Sequence, residues 1–224
     1  MKGRLPASES AIALLRNRSL ASAAQEEIER LILSGEIVSG AKLGEAEIAG
    51  RLGVSRGPVR EAFRGLEEVG LIRFEKNRGV FVRKVELAEA DQNYVVRGAL
   101  EELAGKIVAQ RVTNEEVREL RAIVKRMEKS IARNDIASYV EQNLELHLHI
   151  VELTGNVKLV EVYRKITKEL MLFRRQSLAP HETLGEHRNI VERIAARDPV
   201  AASQAMLQHI ERARLRMLAT YGPT

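Results

Sequence analysis

Strand-like patterning in this chain is confined to two short stretches, LIRFE (71–75) and GVFVRKV (79–85), and everything after Val85 reads as helix. Apolar residues recur there at helical spacing in six segments, about 87–111, 114–133, 135–154, 156–178, 184–197 and 199–220. Thr113, Asn134-Asp135, Gly155-Asn156, Ala179-Pro180 and Asp198-Pro199 separate them, and each is a stop or start signal for a helix. Such a pattern predicts a boundary near residue 86, followed over 87–224 by an all-α antiparallel bundle of six helices.

The residues before that boundary are organised differently. Residues 1–18 lack an apolar period and read as a flexible tail. From about Leu20 to Ser34, Ile28, Leu31 and Ile32 repeat at helical spacing, with Gly35 and Gly40 bracketing a turn. A short helix over about 45–52 is stopped by Gly53, and a third runs from Ser55 to near Gly70. Three helices followed by a hairpin, whose strands are joined by Lys76, Asn77 and Arg78, make a winged helix-turn-helix over 19–86. The fold class is therefore mainly α.

Cysteine is absent, so a thiolate metal site and a disulfide framework are both excluded, and any metal must be held by His, Asp, Glu or Asn. A reducing cytoplasm fits that usage. The apolar runs fall short of the roughly 20 residues a membrane span needs, and MKGRLPASES has no signal-peptide core, so a soluble cytoplasmic protein without membrane contact is expected. The net charge of +5 is modest, but it is concentrated. Between Ser55 and Lys84, Arg56, Arg60, Arg64, Arg73, Lys76, Arg78, Arg83 and Lys84 outnumber Glu61, Glu67, Glu68 and Glu75, which suggests an anionic partner.

VSRGPVREAFRGLEEVG carries the mechanism for meeting one. Ser55 stands at the expected N-cap, and Pro58 falls in the first turn, where its missing N–H costs little. Val59, Phe63 and Leu66, with Ala62 and Val69, form the buried side, while Arg56, Arg60 and Arg64 recur every four residues along a neighbouring stripe. A solvated basic face is the plain alternative. With a short helix before it and a wing after it, the stripe favours phosphates and guanine edges in a major groove.

The run LGEAEIAGRLGVSRGPVREAFRGLEEVGLIRFEKNRGVFV resembles the winged-helix domain of the GntR family of bacterial transcription regulators. By that resemblance Arg56 and Arg60 contact double-stranded operator DNA, Gly57 and Pro58 lie against its backbone, and Gly79 marks a wing tip in the minor groove. Gly57 departs from the Thr or Ser of many members, which removes a hydroxyl contact to phosphate.

In the second block the helix over about 135–154 sends Ile136, Val140, Asn143, His147, Ile150 and Val151 to one face, and His149 and Glu145 to the other. Thr183 and Glu186 read as a capping box that starts the next relevant helix, where His187 lines up with Ile190, Val191 and Ile194. His209 lines up with Ala202, Ala205, Met206 and Ala213, whereas His181 has no such alignment. A single inward histidine is usually a hydrogen-bonded core residue. Three from three helices, with an amide one turn before the first, tilt the balance toward a shared ion, because buried imidazoles need partners.

The stretch from Asn143 to Asn156, EHRNIVERIAARDP and the final QHI resemble the FCD ligand-binding domain of the FadR-type branch of the same family, in its short six-helix variety. There an Asp and three His bind a divalent metal, and the matching positions are Asn143, His147, His187 and His209. Asn143 in place of Asp offers a weaker, neutral oxygen, which leaves zinc, nickel and manganese all open. Arg97, at the border of a stripe Val96, Leu100, Leu103 and Ile107, matches an arginine that in the family faces the pocket, where a guanidinium can clamp an effector carboxylate bidentately; a surface ion pair with Glu101 is the alternative. Arg174 and Arg175 are weaker candidates.

These readings imply a non-enzymatic repressor that binds a palindromic operator as a homodimer and responds to a small carboxylate metabolite. A metal sensor, a structural metal and a metal-dependent hydrolase are the alternatives. The last lacks a general base, since Glu145 faces away and the candidate site residues are neutral or basic.

Overall fold

The first helix of the chain is rich in alanine and leucine, and propensity alone carries it beyond the apolar stripe. In this computed structural model, which describes residues 7–173 and 180–222 with side chains over 19–173 and 182–222, α1 spans Ala7–Leu33. The expected tail is thus helical from Ala7 onward, and residues 1–6 lie outside the described residues. Hydrophobic patterning missed this because a helix can be extended by good helix formers that bury no stripe.

The chain divides into two units, one ending at Val85 and the other starting at Glu86. In the first, α2 (Glu45–Leu52) and α3 (Arg56–Glu68) follow α1, and β2 (Ile72–Glu75) pairs antiparallel with β3 (Gly79–Val82). A two-residue strand, β1 (Lys42–Leu43), adds to the far side of β3, giving the order β1-β3-β2. Sequence reasoning had no signal for so short a strand. Ile28, Leu31 and Ile32 of α1 meet Val59, Ala62, Phe63 and Leu66 of α3 in a sealed core, closed from below by Leu71, Ile72 and Val82.

The second unit consists of α4 (Leu87–Arg111), α5 (Asn114–Ala132), α6 (Ile136–Leu153), α7 (Val157–Phe173), α8 (Pro180–Ala195) and α9 (Pro199–Tyr221). Its helix ends follow the separators: Thr113 and Glu116 close a capping box, and Asp135 and Asp198 accept backbone N–H bonds as N-caps. One expected cap is corrected. Helix α8 already begins at Pro180, so Thr183 lies inside it, buried and hydrogen-bonded to the Tyr139 hydroxyl at 2.6 Å. Proline supplies a preset φ for the first turn, and that starts the helix one turn before the Thr-Glu pair.

A second correction concerns α4. The stripe Val96, Leu100, Leu103 and Ile107 is not its core face, since Val96 is 46% and Leu103 44% exposed. Its buried residues include Tyr94, Arg97, Gly98, Glu101, Ala104, Gly105 and Val108. At Gly105 an added Cβ would sit 2.9 Å from Met206 Cγ and 3.0 Å from the Ala202 carbonyl, and at Gly98 3.3 Å from Leu207 Cδ1. Helices α4 and α9 therefore pack through small residues at close range, a contact that a search for large apolar side chains overlooks.

Candidate functional site

Two clusters of polar side chains stand out, one in each unit. On α3, Arg56, Arg60 and Arg64 are exposed along the same flank while Pro58 and Val59 are buried beneath them. Ser55 occupies the N-cap position, yet its hydroxyl makes no capping bond. The third residue of the helix is Pro58, which has no N–H to offer it. Nothing lies within 4 Å of a Cβ built at Gly57, so this end of α3 is open to a large partner. Arg60 is paired with Glu45 of α2 and Arg64 with Glu61 of its own helix.

The hairpin continues that surface. Its tip is Lys76–Arg78, with Asn77 at φ 62°, and Gly79 at φ 110° opens β3 opposite Glu75. A side chain at Gly79 would be strained by that φ and would crowd Lys42 Cε at 3.1 Å. Lys42 and Arg78 both stand over the Phe81 ring, and Arg73 and Arg78 share Glu75.

In the second unit His147 of α6, His187 of α8 and His209 of α9 converge, all buried, with their ligand-type nitrogens within 4.8 Å of one another. Nε2 of His147 and Nε2 of His187 are 3.3 Å apart. That is the spacing of neighbouring donors on an ion with metal–nitrogen bonds of about 2.0–2.1 Å. Asn143 is buried one turn before His147 on the same helix.

Each of two rings is anchored from behind. His147 donates from Nδ1 to Glu101 Oε2 at 2.6 Å, and His209 donates from Nδ1 to Glu186 Oε2 at 2.6 Å. Both bonds engage Nδ1 and leave Nε2 available to a ligand, which is how carboxylates orient metal-ligating histidines. Burial pushes His147 down to about 4 despite the pull of Glu101. Burial also holds His187 well below the usual range, reinforced by its two neighbouring rings. Among the described residues, His187 Nδ1 is buried with no hydrogen-bond partner. Three buried imidazoles with converging ring nitrogens, one carrying an orphaned Nδ1, fit a divalent cation.

Sequence offers Glu101 only as a surface partner of Arg97, whereas both residues are inside. Arg97 is 2% exposed and Glu101 0%, with Arg97 Nε donating to Glu101 Oε1 at 2.6 Å. The Tyr163 hydroxyl donates to the same oxygen at 3.1 Å. Burial alone would raise the Glu101 carboxyl, but the Arg97 guanidinium and the His147 ring hold it well below the usual carboxylate range. The expectation that every site residue is neutral or basic is thus corrected. Even so, Glu101 cannot serve as a free base, because its oxygens are committed to three donors and it stays ionised.

Glu186, read as half of a capping box, instead accepts from His209 and Arg212, with Arg216 in ionic contact at 3.7 Å. Both missed carboxylates follow a findable signal: an acid one helical turn after an inward arginine, and one directly preceding an inward histidine. His149 points outward to Glu119, and Glu145 outward to Arg126, as their helix phase requires. A cleft of about 350 Å³, lined by Glu182, Asn189, Gln208 and Arg212, opens beside His209. Arg174 and Arg175 lie outside the described residues, as does the His181 side chain. No described helix is long and apolar enough to cross a membrane.

Comparison with known proteins agrees with both units. Residues 20–82 match the family model for bacterial regulatory proteins of the gntR family, and residues 92–212 match the FCD domain. A chain from Paenarthrobacter nicotinovorans named "Probable D-xylose utilization operon transcriptional repressor" is 30% identical over 199 residues, covering 88% of each chain. The HTH-type transcriptional repressor RspR of Escherichia coli K12 is 27% identical over 188 residues, covering 82% of each. Among solved structures, E. coli McbR/YncC superposes with a TM-score of 0.78 at 18% identity, over 91% of this chain and 99% of that one. A GntR-type chain from Rhodococcus sp. RHA1 does so with a TM-score of 0.77 at 25% identity, over the same shares.

Proposed function

Since this chain belongs to the GntR family of DNA-binding transcriptional regulators and carries its FCD domain, we propose that it is a repressor whose grip on a palindromic operator is set by a small carboxylate bound beside a divalent metal in the helical domain. One observation carries the effector reading. The Arg97 guanidinium is buried in the unit that holds the histidines, with Nε tied to Glu101, whose other oxygen accepts from His147. A buried guanidinium so placed supports recognition of a carboxylate.

His147, His187 and His209 would hold the ion, with the Asn143 carbonyl as a weaker fourth donor. The ion, whether zinc, nickel or manganese, would offer open coordination positions to effector oxygens. Glu101 joins the two halves of the site, because it accepts from Arg97 on one oxygen and from His147 on the other. An effector that draws on Arg97 therefore also acts on the helix that carries His147. To alter transcription it must bind two arrangements of the DNA-binding units unequally. On the DNA side, Arg56, Arg60 and Arg64, with the backbone at Gly57 and Pro58 and the wing at Gly79, supply the contacts. Titrating operator duplex with the full chain, with and without a panel of small carboxylic acids, tests this; no operator affinity at moderate salt ends it.

A homodimer follows from the same reading, because one winged helix spans only a half-site. Val95, Val96 and Leu103 are exposed apolar residues on α4, and a second copy is the cover this reading assigns to them. Leu103→Glu is expected to convert dimer to monomer in sedimentation velocity and to weaken operator binding by at least about tenfold. A dimer that persists in the variant removes these residues from the interface.

A further inference from the structure

Arg60 and Glu45 form an ion pair with a definite orientation. Arg60 Nε donates to Glu45 Oε1 at 3.0 Å, and Nη2 donates to Oε2 at 2.8 Å. The carboxylate thus takes the side edge of the guanidinium. The opposite fork, made of both Nη1 hydrogens and the second Nη2 hydrogen, is left outward on a side chain that is 55% exposed. Arg64 is held differently, by one contact from Nη1 to Glu61 of its own helix, and both partners there are more than half exposed. Arg56 makes no ion pair among the described residues.

Glu45 is well placed for a fixed grip. It is the first residue of α2, and the helix behind it is anchored by buried Ile48 and Ala49. The pair therefore links two helices rather than two residues of one, and it removes rotamer freedom from Arg60 before any DNA arrives. A guanidinium whose end-on fork is fixed in space matches the O6 and N7 acceptors of guanine in the major groove. An arginine free to swing would satisfy a phosphate, an adenine N7 or a guanine with little preference.

We infer that Glu45 is a specificity-determining positioning residue: by clamping the side edge of Arg60 it commits the opposite fork to a guanine in each operator half-site. The inference rests on the DNA-reading role given to Arg60 above. Glu45 itself touches no base, and its charge would repel phosphates, so its contribution is discrimination and not raw affinity. Gln at this position keeps one acceptor for Nε–H but turns a donor toward Nη2–H, which breaks the fork-to-carboxylate match.

Full-length wild type, Glu45→Gln, Glu45→Ala and Arg60→Ala are each used to select bound sequences from a pool of random duplex DNA. Their affinities are then measured for the selected duplex and for duplexes with each base pair changed in turn. Wild type is expected to select a guanine at one position of each half-site. Both Glu45 variants are expected to lose about tenfold in discrimination at that position alone, leaving the other positions and the salt dependence unchanged. Arg60→Ala should lose the same position and weaken binding to the selected duplex by about tenfold or more.

Unchanged discrimination in the Glu45 variants, with a clear wild-type motif, overturns this inference and leaves the DNA-binding reading standing. Tighter binding of the Glu45 variants to every duplex with discrimination at the guanine position retained also overturns it, because Glu45 would then only compete with DNA for Arg60. If wild type selects no motif, both readings fall. Glu45 is partly exposed in the first turn of its helix, and matching melting temperatures identify variants that retain the fold.

Discussion

Replacing His147 by alanine is expected to lower divalent-metal affinity by at least about a hundredfold, whereas His149→Ala leaves it unchanged. The two residues are close in sequence, but α6 carries them in different directions. His147 is 1% exposed, donates to Glu101 and faces His187, while His149 reaches Glu119 on the outside. Loss of the His147 ring removes a donor and also the group that Glu101 holds in place. Metal content of the purified chain by elemental analysis, with chelator competition, reads the difference. Equal losses from both variants would mean that the ion sits on the outer face of α6 and that the three-histidine cluster is not its site.

A second large effect is expected from Glu101→Gln. Glu101 is the sole carboxylate hydrogen-bonded to Arg97 among the described residues, and neither side chain reaches solvent. Removing one partner of such a pair leaves a charge in a low-dielectric interior and costs about 3–5 kcal/mol. For a chain of this size that corresponds to a drop of about 10 °C in melting temperature. The amide also turns a donor toward either Arg97 or His147, where only acceptors fit. Combining Arg97→Met with Glu101→Leu removes both charges and should recover most of the loss, since apolar pairs of similar volume replace buried ion pairs well. A Tm that stays put in Glu101→Gln would show that Arg97 finds its compensation elsewhere.

The same pair marks the limit of reading along the chain. Helix phase was enough to turn Asn143, His147, His187 and His209 inward, because each lies among Ile, Val or Met residues that fix the buried face. Phase also set the arginines of α3 on one flank, since Val59, Phe63 and Leu66 leave no doubt about which side is core. On α4 the same method fails. Its large apolar residues, Val95, Val96 and Leu103, are on the outside, and the inward face is made of Gly98, Ala104, Gly105 and a buried Arg-Glu pair.

Sequence by itself determined the order of helices and hairpin, the division near residue 86, the basic flank of α3 and the inward turn of three histidines. All of these follow from periodicity and capping, which are local properties of the backbone. Tertiary structure alone decided that α4 packs on α9 through glycines, that Glu101 bridges Arg97 and His147, and that Glu45 grips Arg60. Those contacts join residues on different helices or depend on which face a neighbour covers, and spacing along one helix carries no information about what stands opposite it.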